Sequence, residues 1–325
     1  TYNWNMTADS IILIGGILIF VSILVGKAGS RFGIPSLLMF LLVGIFFGSE
    51  EVGMGLHFYN AKIAQLIGMV ALSIILFSGG MDTQFKDIKP VLWQGIALST
   101  VGVLLTTLFT GLFIFWISGF NFTPIYMPLA TSLLLAATMS STDSASVFNI
   151  LRSQKIQLKY NIKSTLELES GSNDPMAYML TIALIQYITS ASLGIGSVIW
   201  SFIMQFAIGG LVGFIIGKVA VHLINRMHLS IPSLYSLMLL SLIFFTFAIT
   251  DIIGGNGYLA VYIAGIIVGN KKIVYKKEIT RFLDGMTTLV QLIMFLSLGL
   301  LVNPEEMIHV IPIAVLIGIF MIMVG

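Results

Sequence analysis

Long apolar stretches separated by short polar clusters run along the 325-residue chain from end to end. Taken by their cores, they predict eleven helical spans, at 9–26, 34–48, 62–80, 90–118, 125–150, 162–190, 196–222, 233–251, 256–269, 282–302 and 308–325. Most approach the roughly 17–25 residues that a helix needs to cross a bilayer, and the shorter ones fit as tilted or partial spans. The period-two alternation of a transmembrane barrel strand is absent. No soluble domain, low-complexity linker or long charge run interrupts the series.

Composition turns this pattern into a membrane assignment. The chain is 57% hydrophobic and 9% charged, with a mean hydropathy of +1.02. Soluble domains carry about 25% charged residues, so this chain reads as an integral, multi-pass membrane protein with the lipid bilayer as its partner. The net charge of +2 argues against a nucleic-acid partner. With no cysteine there is neither a disulfide framework nor a thiolate metal site. The first apolar run, Ile11 to Val25, follows Asp9 rather than a basic segment, and so reads as a true span and not a signal peptide.

The basic residues orient the spans. With the N-terminus outside, the inner loops hold Lys27 and Arg31, Lys86 and Lys89, Arg152, Lys155, Lys159 and Lys163, Lys218 and Arg226, and Lys271, Lys272, Lys276, Lys277 and Arg281. Outside remains Lys62. This is the asymmetry that the positive-inside rule expects. It also supports the span count, because one missed helix would scramble it.

Against that frame the sixth span is anomalous. "LELESGSNDPMAY", Leu166 to Tyr178, sets Glu167, Glu169, Asn173, Asp174 and Pro175 into an otherwise greasy helix. A carboxylate in hydrocarbon costs at least a few kcal/mol. Counting from Lys163, Asp174 lies about 16 Å deep at about 1.5 Å per residue. Counting back from Arg152, Asp143 on the fifth span lies about 13 Å deep. Two acids on adjacent spans thus meet near the midplane, with no basic residue at their depth to make them a structural ion pair.

Around them, "SSTDSAS" (Ser140 to Ser146) supplies hydroxyls that can satisfy backbone groups leaving a helix. Pro175 has no N–H, so the carbonyl of Gly171 loses its helical partner. Carbonyl, hydroxyl and carboxylate oxygens are hard ligands suited to an alkali cation. Ser170 shares a helix face with Asp174, and Glu169 with Asn173. For Glu169 a structural role is favoured, and Glu167, nearer the inner surface, reads as solvated.

These residues carry a resemblance. "STDSASVFNILR" followed by "LELESGSNDPMAY" resembles the fifth- and sixth-helix motifs of the NhaP-type cation/proton antiporters, in the electroneutral branch of the monovalent cation:proton antiporter superfamily. The wording "ESGSNDPMA" is most similar to the CvrA-like potassium/proton antiporters, and the likeness extends through "GGNGYLAVYIAGIIVGN" from Gly254.

The resemblance implies an all-α polytopic membrane protein with an inverted-repeat antiporter fold and a broken fifth helix. Residues 1–190 would form the first repeat, 191–232 a linking helix and inner loop, and 233–325 part of a second repeat whose remaining two spans lie beyond Gly325. Asp174 would bind proton or cation in turn. Asp143, the backbone of Thr142, and Ser170 would complete the alkali-cation ligands. Asn173 would brace the site, and Glu169 would pair with an arginine just past Gly325. A homodimer in the bacterial inner membrane is implied, with no cofactor beyond the transported K⁺ or Na⁺ and H⁺. Some relatives supply a carboxylate from the third span, where "LSIILFSGGM" offers only Ser73 and Ser78.

The expected function is exchange of a monovalent cation, K⁺ favoured and Na⁺ the alternative, for H⁺. Because Asn173 cannot titrate, one-for-one, electroneutral exchange is expected. The rival is an ion-coupled symporter of a small solute, which also needs broken helices and midplane acids. It would need substrate-binding groups in the sixth span, which offers none beyond Tyr178. A channel filter motif and an enzymatic nucleophile–base pair are both missing. "GGNG" (Gly254 to Gly257) reads as a turn. His57, His222, His228 and His309 read as interfacial, and for Asp251, near the outer end of the eighth span, a bland role is favoured over a capping or pathway one.

Overall fold

A computed structural model describes residues 8–32, 34–49, 56, 60–120, 126–142, 147, 159, 161–189 and 195–324. Every regular element among them is helical: α1 (Ala8–Arg31), α2 (Ser36–Gly48), α3 (Ala61–Asp82), α4 (Phe85–Ser118), α5 (Leu129–Met139), α6 (Ile162–Thr189), α7 (Ile195–Arg226), α8 (Pro232–Ile252), α9 (Gly257–Gly269), α10 (Lys276–Leu301) and α11 (Pro304–Val324). Each of the eleven expected spans is met by one of them. Six are long and apolar enough to cross a membrane on their own: α1, α3, α4, α7, α8 and α10. Their apolar surface points outward. Only 11% of the most apolar stretch of α7 is covered by the rest of the protein, and Trp93, Trp200 and Phe245 are exposed. In water such a surface would aggregate; in a bilayer it is the solvated face.

The chain divides into two compact units. The first comprises residues 1–71 and 285–308. In it α1 turns into α2 through Gly29, whose carbonyl takes the N–H groups of Phe32 (2.9 Å) and Ile34 (3.1 Å). Pro35 caps the start of α2. Helices α2 and α10 cross where glycine faces glycine. A Cβ on Gly44 would stand 2.8 Å from the Gly299 Cα, and a Cβ on Gly299 would stand 2.8 Å from the Gly44 Cα.

The second unit comprises 72–284 and 309–325 and holds α4 to α9. Its centre is α9, whose residues from Gly257 to Tyr262 are all buried. Small residues let its neighbours approach. On α7, Gly209, Gly213 and Gly217 recur every four residues and meet Asn256, Ala260 and Ala264; a Cβ on Gly213 would lie 2.8 Å from the Ala260 Cα. On the α3 side, Gly265 and Gly269 back onto Phe77 and Met81. Close backbone approach of this kind holds helices together in lipid, where no hydrophobic force separates one apolar surface from another.

α4 is continuous but not regular. Pro90, lacking an N–H, sits in a 3₁₀ turn at Lys89–Val91. Leu98–Gly102 widens to a π turn, where the hydroxyls of Ser99 (3.3 Å) and Thr100 (2.6 Å) both bond the Ile96 carbonyl. Further along, α4 packs on α5 and α11 through Ile114, Ala136 and Ile317, and Phe113 stacks on Phe320 at 4.1 Å.

Candidate ion-binding site

The fifth span does not run through as one helix. α5 stops at Met139, and Ser140 closes it with a tightened turn, its N–H reaching the Ala137 carbonyl at 3.3 Å and its hydroxyl the same carbonyl at 2.8 Å. Thr138 donates to the Leu135 carbonyl at 2.7 Å. Hydroxyl residues thus occupy carbonyls that the helix end would otherwise leave open inside a membrane. Ser141 and Thr142 follow in non-helical backbone. Asp143, expected to face Asp174, lies outside the described residues.

The sixth span is an unbroken helix that carries Pro175 inside it. Its polar face meets the end of α5 at one place. The Ser141 hydroxyl donates to the Asp174 carboxylate, and stands 3.0 Å from the Asn173 side-chain oxygen and 3.2 Å from the Thr142 carbonyl. Having one proton, it serves one acceptor at a time. Asn173 spends both amide hydrogens, on the Thr142 hydroxyl at 2.8 Å and on Glu169 at 2.8 Å. The Thr142 and Ser170 hydroxyls lie 3.2 Å apart. Ser170 and Asn173 are buried, whereas Asp174 is partly exposed and Thr142 exposed. The cluster can therefore be reached from one side.

Apart from Asp143, each expected site residue lies among the described ones. Asp174, Asn173, Ser170, Thr142 and Glu169 come together, joined through Asn173. Thr142, expected through its backbone, takes part through its hydroxyl as well, and its carbonyl lies 3.2 Å from the Ser141 hydroxyl. Glu167 stands apart and pairs with Lys163 at 3.7 Å, four residues back.

Three residues went unrecognised in the sequence. Ser141 stood undistinguished in a run of hydroxyls, yet it bonds Asp174. Asn256, within an expected turn, is the N-cap of α9: it accepts from the Leu259 N–H at 2.9 Å and donates to the Pro175 carbonyl at 3.1 Å. The Tyr262 ring fills the space over Gly171, where a Cβ would lie 2.6 Å from it. Its hydroxyl is buried near Thr83 and Ser172 without a bond in good geometry.

Among the described residues the donor set is the Asp174 carboxylate with hydroxyl and amide oxygens, and Glu169 is joined to it through Asn173. Among the described residues no group of three or more acids, histidines or cysteines could hold a metal ion. Hard oxygens with little charge suit a monovalent cation held loosely enough to leave, rather than a tightly bound divalent or transition metal.

A polytopic helical protein with a broken span and a carboxylate–hydroxyl cluster belongs, as a class, with the secondary ion transporters. The comparisons agree. Residues 16–324 match the family model described as "Sodium/hydrogen exchanger, transmembrane", and the chain belongs to that family, one of transporters rather than enzymes. It is 40% identical over 309 residues to the K(+)/H(+) antiporter NhaP of Alkalimonas amylolytica, covering 95% of this chain and 52% of that protein. It is 39% identical over 310 residues to the K(+)/H(+) antiporter NhaP2 of Shewanella sp. (strain ANA-3), covering 94% and 52%. The chain thus spans about half the length of these curated relatives. Its fold matches the solved sodium proton antiporter MjNhaP1 from Methanocaldococcus jannaschii at pH 8, with a TM-score of 0.80 and 21% identity over 96% of this chain and 76% of that one.

Proposed function

We propose that the protein exchanges a monovalent cation, K⁺ in preference to Na⁺, for H⁺ by competition at Asp174. The observation that carries this reading is the hydrogen-bonded cluster of Ser141, Thr142, Ser170, Asn173 and Asp174 at the place where α5 breaks against α6. A proton and a cation cannot occupy the same carboxylate together, so each crosses only when the other has left. Asp143, the Thr142 backbone and Ser170 complete the cation's oxygen ligands, and Asn173 braces the site while remaining neutral at every pH. Glu169 supports Asn173, accepting from its amide at 2.8 Å.

K⁺ is favoured because relatives that cover most of this chain are named K(+)/H(+) antiporters. Membership of an exchanger family supports antiport over solute symport. The proposal extends to two inverted repeats divided near 190 and 233, a homodimer, a bacterial inner membrane with the N-terminus outside, and no cofactor. The test is cation-dependent proton flux in proteoliposomes of the whole protein, with K⁺ and Na⁺ compared at several pH values. Proton movement driven by a K⁺ gradient, with less or none driven by Na⁺, is expected; flux indifferent to both cations would overturn the reading.

A further inference from the structure

On the side of α6 away from Asp174 lies a cavity of about 260 Å³, bounded by α4, α6, α7 and α9. Leu168, Ser172, Pro175, Met176 and Met179 line it from α6. At about 3.6 residues per turn these share one face of the helix, and Ser170, Asn173 and Asp174 occupy the other. The cavity is therefore separate from the ion cluster, yet it touches the helix that carries it.

Its lining is selective. None of the described residues around it is an acid, a lysine, an arginine or a histidine, so it offers nothing to hold an ion. Ser99 and Thr100, in the π turn of α4, spend their hydroxyl hydrogens on the Ile96 carbonyl. Tyr262 is different. It lines the cavity, and its hydroxyl is buried with no hydrogen-bond partner. A buried donor left unsatisfied costs stability, and a ligand with one acceptor oxygen would relieve that cost. The rim shows where such a ligand comes from: Phe85, Ile96 and Phe206 line the cavity and are exposed on the apolar, lipid-facing surface. Apolar cavities stay dry at about 150 Å³ and take benzene-sized molecules, so this one has room for a chain of about eight carbons.

We propose that this cavity binds one small, uncharged amphiphile from the bilayer, its oxygen accepting from Tyr262, and that occupancy slows exchange. Binding stands on the cavity and the Tyr262 hydroxyl; the effect on transport rests on the exchange reading above. Alternating access needs the helices around an ion site to shift against their neighbours, and a chain lodged behind Pro175 obstructs that movement of α6.

In the experiment the whole protein in proteoliposomes is irradiated with a diazirine-bearing octanol, and the adducts are mapped by mass spectrometry. Adducts are expected on Met176, Met179 and Ile263, competed by excess octanol and lost in Ile263→Trp, whose indole fills the space. Tyr262→Phe should weaken that labelling by about two- to tenfold, the worth of one hydrogen bond. Adducts confined to lipid-facing side chains such as Trp93 and Trp200, or cavity adducts indifferent to both substitutions, would overturn the site. In the same vesicles octanol should slow K⁺/H⁺ exchange by wild type more than by Ile263→Trp, each relative to its own rate without octanol. Equal slowing of both would assign the effect to the bilayer and overturn the control of exchange. A wild-type protein that takes the label in the cavity but moves no protons with K⁺ would overturn the exchange reading and leave the binding site standing.

Discussion

Asp174 and Asn173 are neighbours in sequence with opposite tasks. The carboxylate can gain and lose a proton; the amide cannot, and is committed to Thr142 and Glu169. Replacing Asp174 by Asn keeps the shape and removes the titration. We expect Asp174→Asn to bring cation-driven proton flux down to the level of empty liposomes, with the melting temperature of the purified protein within a few degrees of wild type. A variant that still exchanges would place the proton elsewhere. Ser141 shows why a single sequence is a poor guide at this scale. Five residues of the run from Ser140 to Ser146 are hydroxyls, and nothing in the order of letters says which one turns toward the carboxylate. That choice is made by where α5 stops.

Among the elements, α9 carries the most responsibility. Its first turn is capped by Asn256, whose amide also reaches the Pro175 carbonyl on α6. Removing a good N-cap costs about 1 kcal/mol, and an unsatisfied buried partner a further 1–3 kcal/mol. Asn256→Ala should therefore lower stability by about 2–4 kcal/mol, read as a lower melting temperature in detergent. The α7 contact is equally demanding. A leucine at Gly213 would push its side chain into the backbone of Ala260, and with backbone on both sides no rotamer relieves the clash. We expect Gly213→Leu to fail as a folded protein or to unfold well below wild type, whereas leucine at Gly68, where a Cβ meets nothing within 4 Å, should be tolerated. Equal behaviour of the two variants would show that the glycine seam does not hold α7 to α9.

For the whole molecule the decisive quantity is the charge moved per cycle. The described part of the site brings Asp174 together with neutral oxygens and with Glu169, which is committed to the Asn173 amide, and Asn173 stands beside Asp174 where a second acid would titrate. One cation for one proton leaves no net charge transfer, and a transmembrane potential acts on net charge at about 2.3 kcal/mol per unit charge per 100 mV. Exchange rates and endpoints in proteoliposomes should then be independent of a potential clamped with an ionophore for an uncoupled ion. Tracking of the voltage would require a second proton carrier in the transport site.

The sequence by itself determined the environment and the elements. Among the described residues a helix begins within or beside each of the eleven apolar runs, because in hydrocarbon every backbone amide must bond within its own segment, and the pattern of apolar residues is then nearly the pattern of helices. The same solvent made the mid-span acids Asp174 and Asp143 conspicuous; Ser170, Asn173 and Glu169 joined them by shared helix faces, and Thr142 by the resemblance to the antiporter motifs. Tertiary structure decided what depends on direction and contact. It set the stop of α5 at Met139, the addition of the Thr142 hydroxyl to the cluster, the choice of Ser141, the reach of Asn256 across to α6, and the fit of Tyr262 over Gly171. Hydrophobicity is a property of residues and can be summed along a chain. A hydrogen bond between two helices depends on their separation and rotation, and in this protein those are set by where glycines let one backbone approach another.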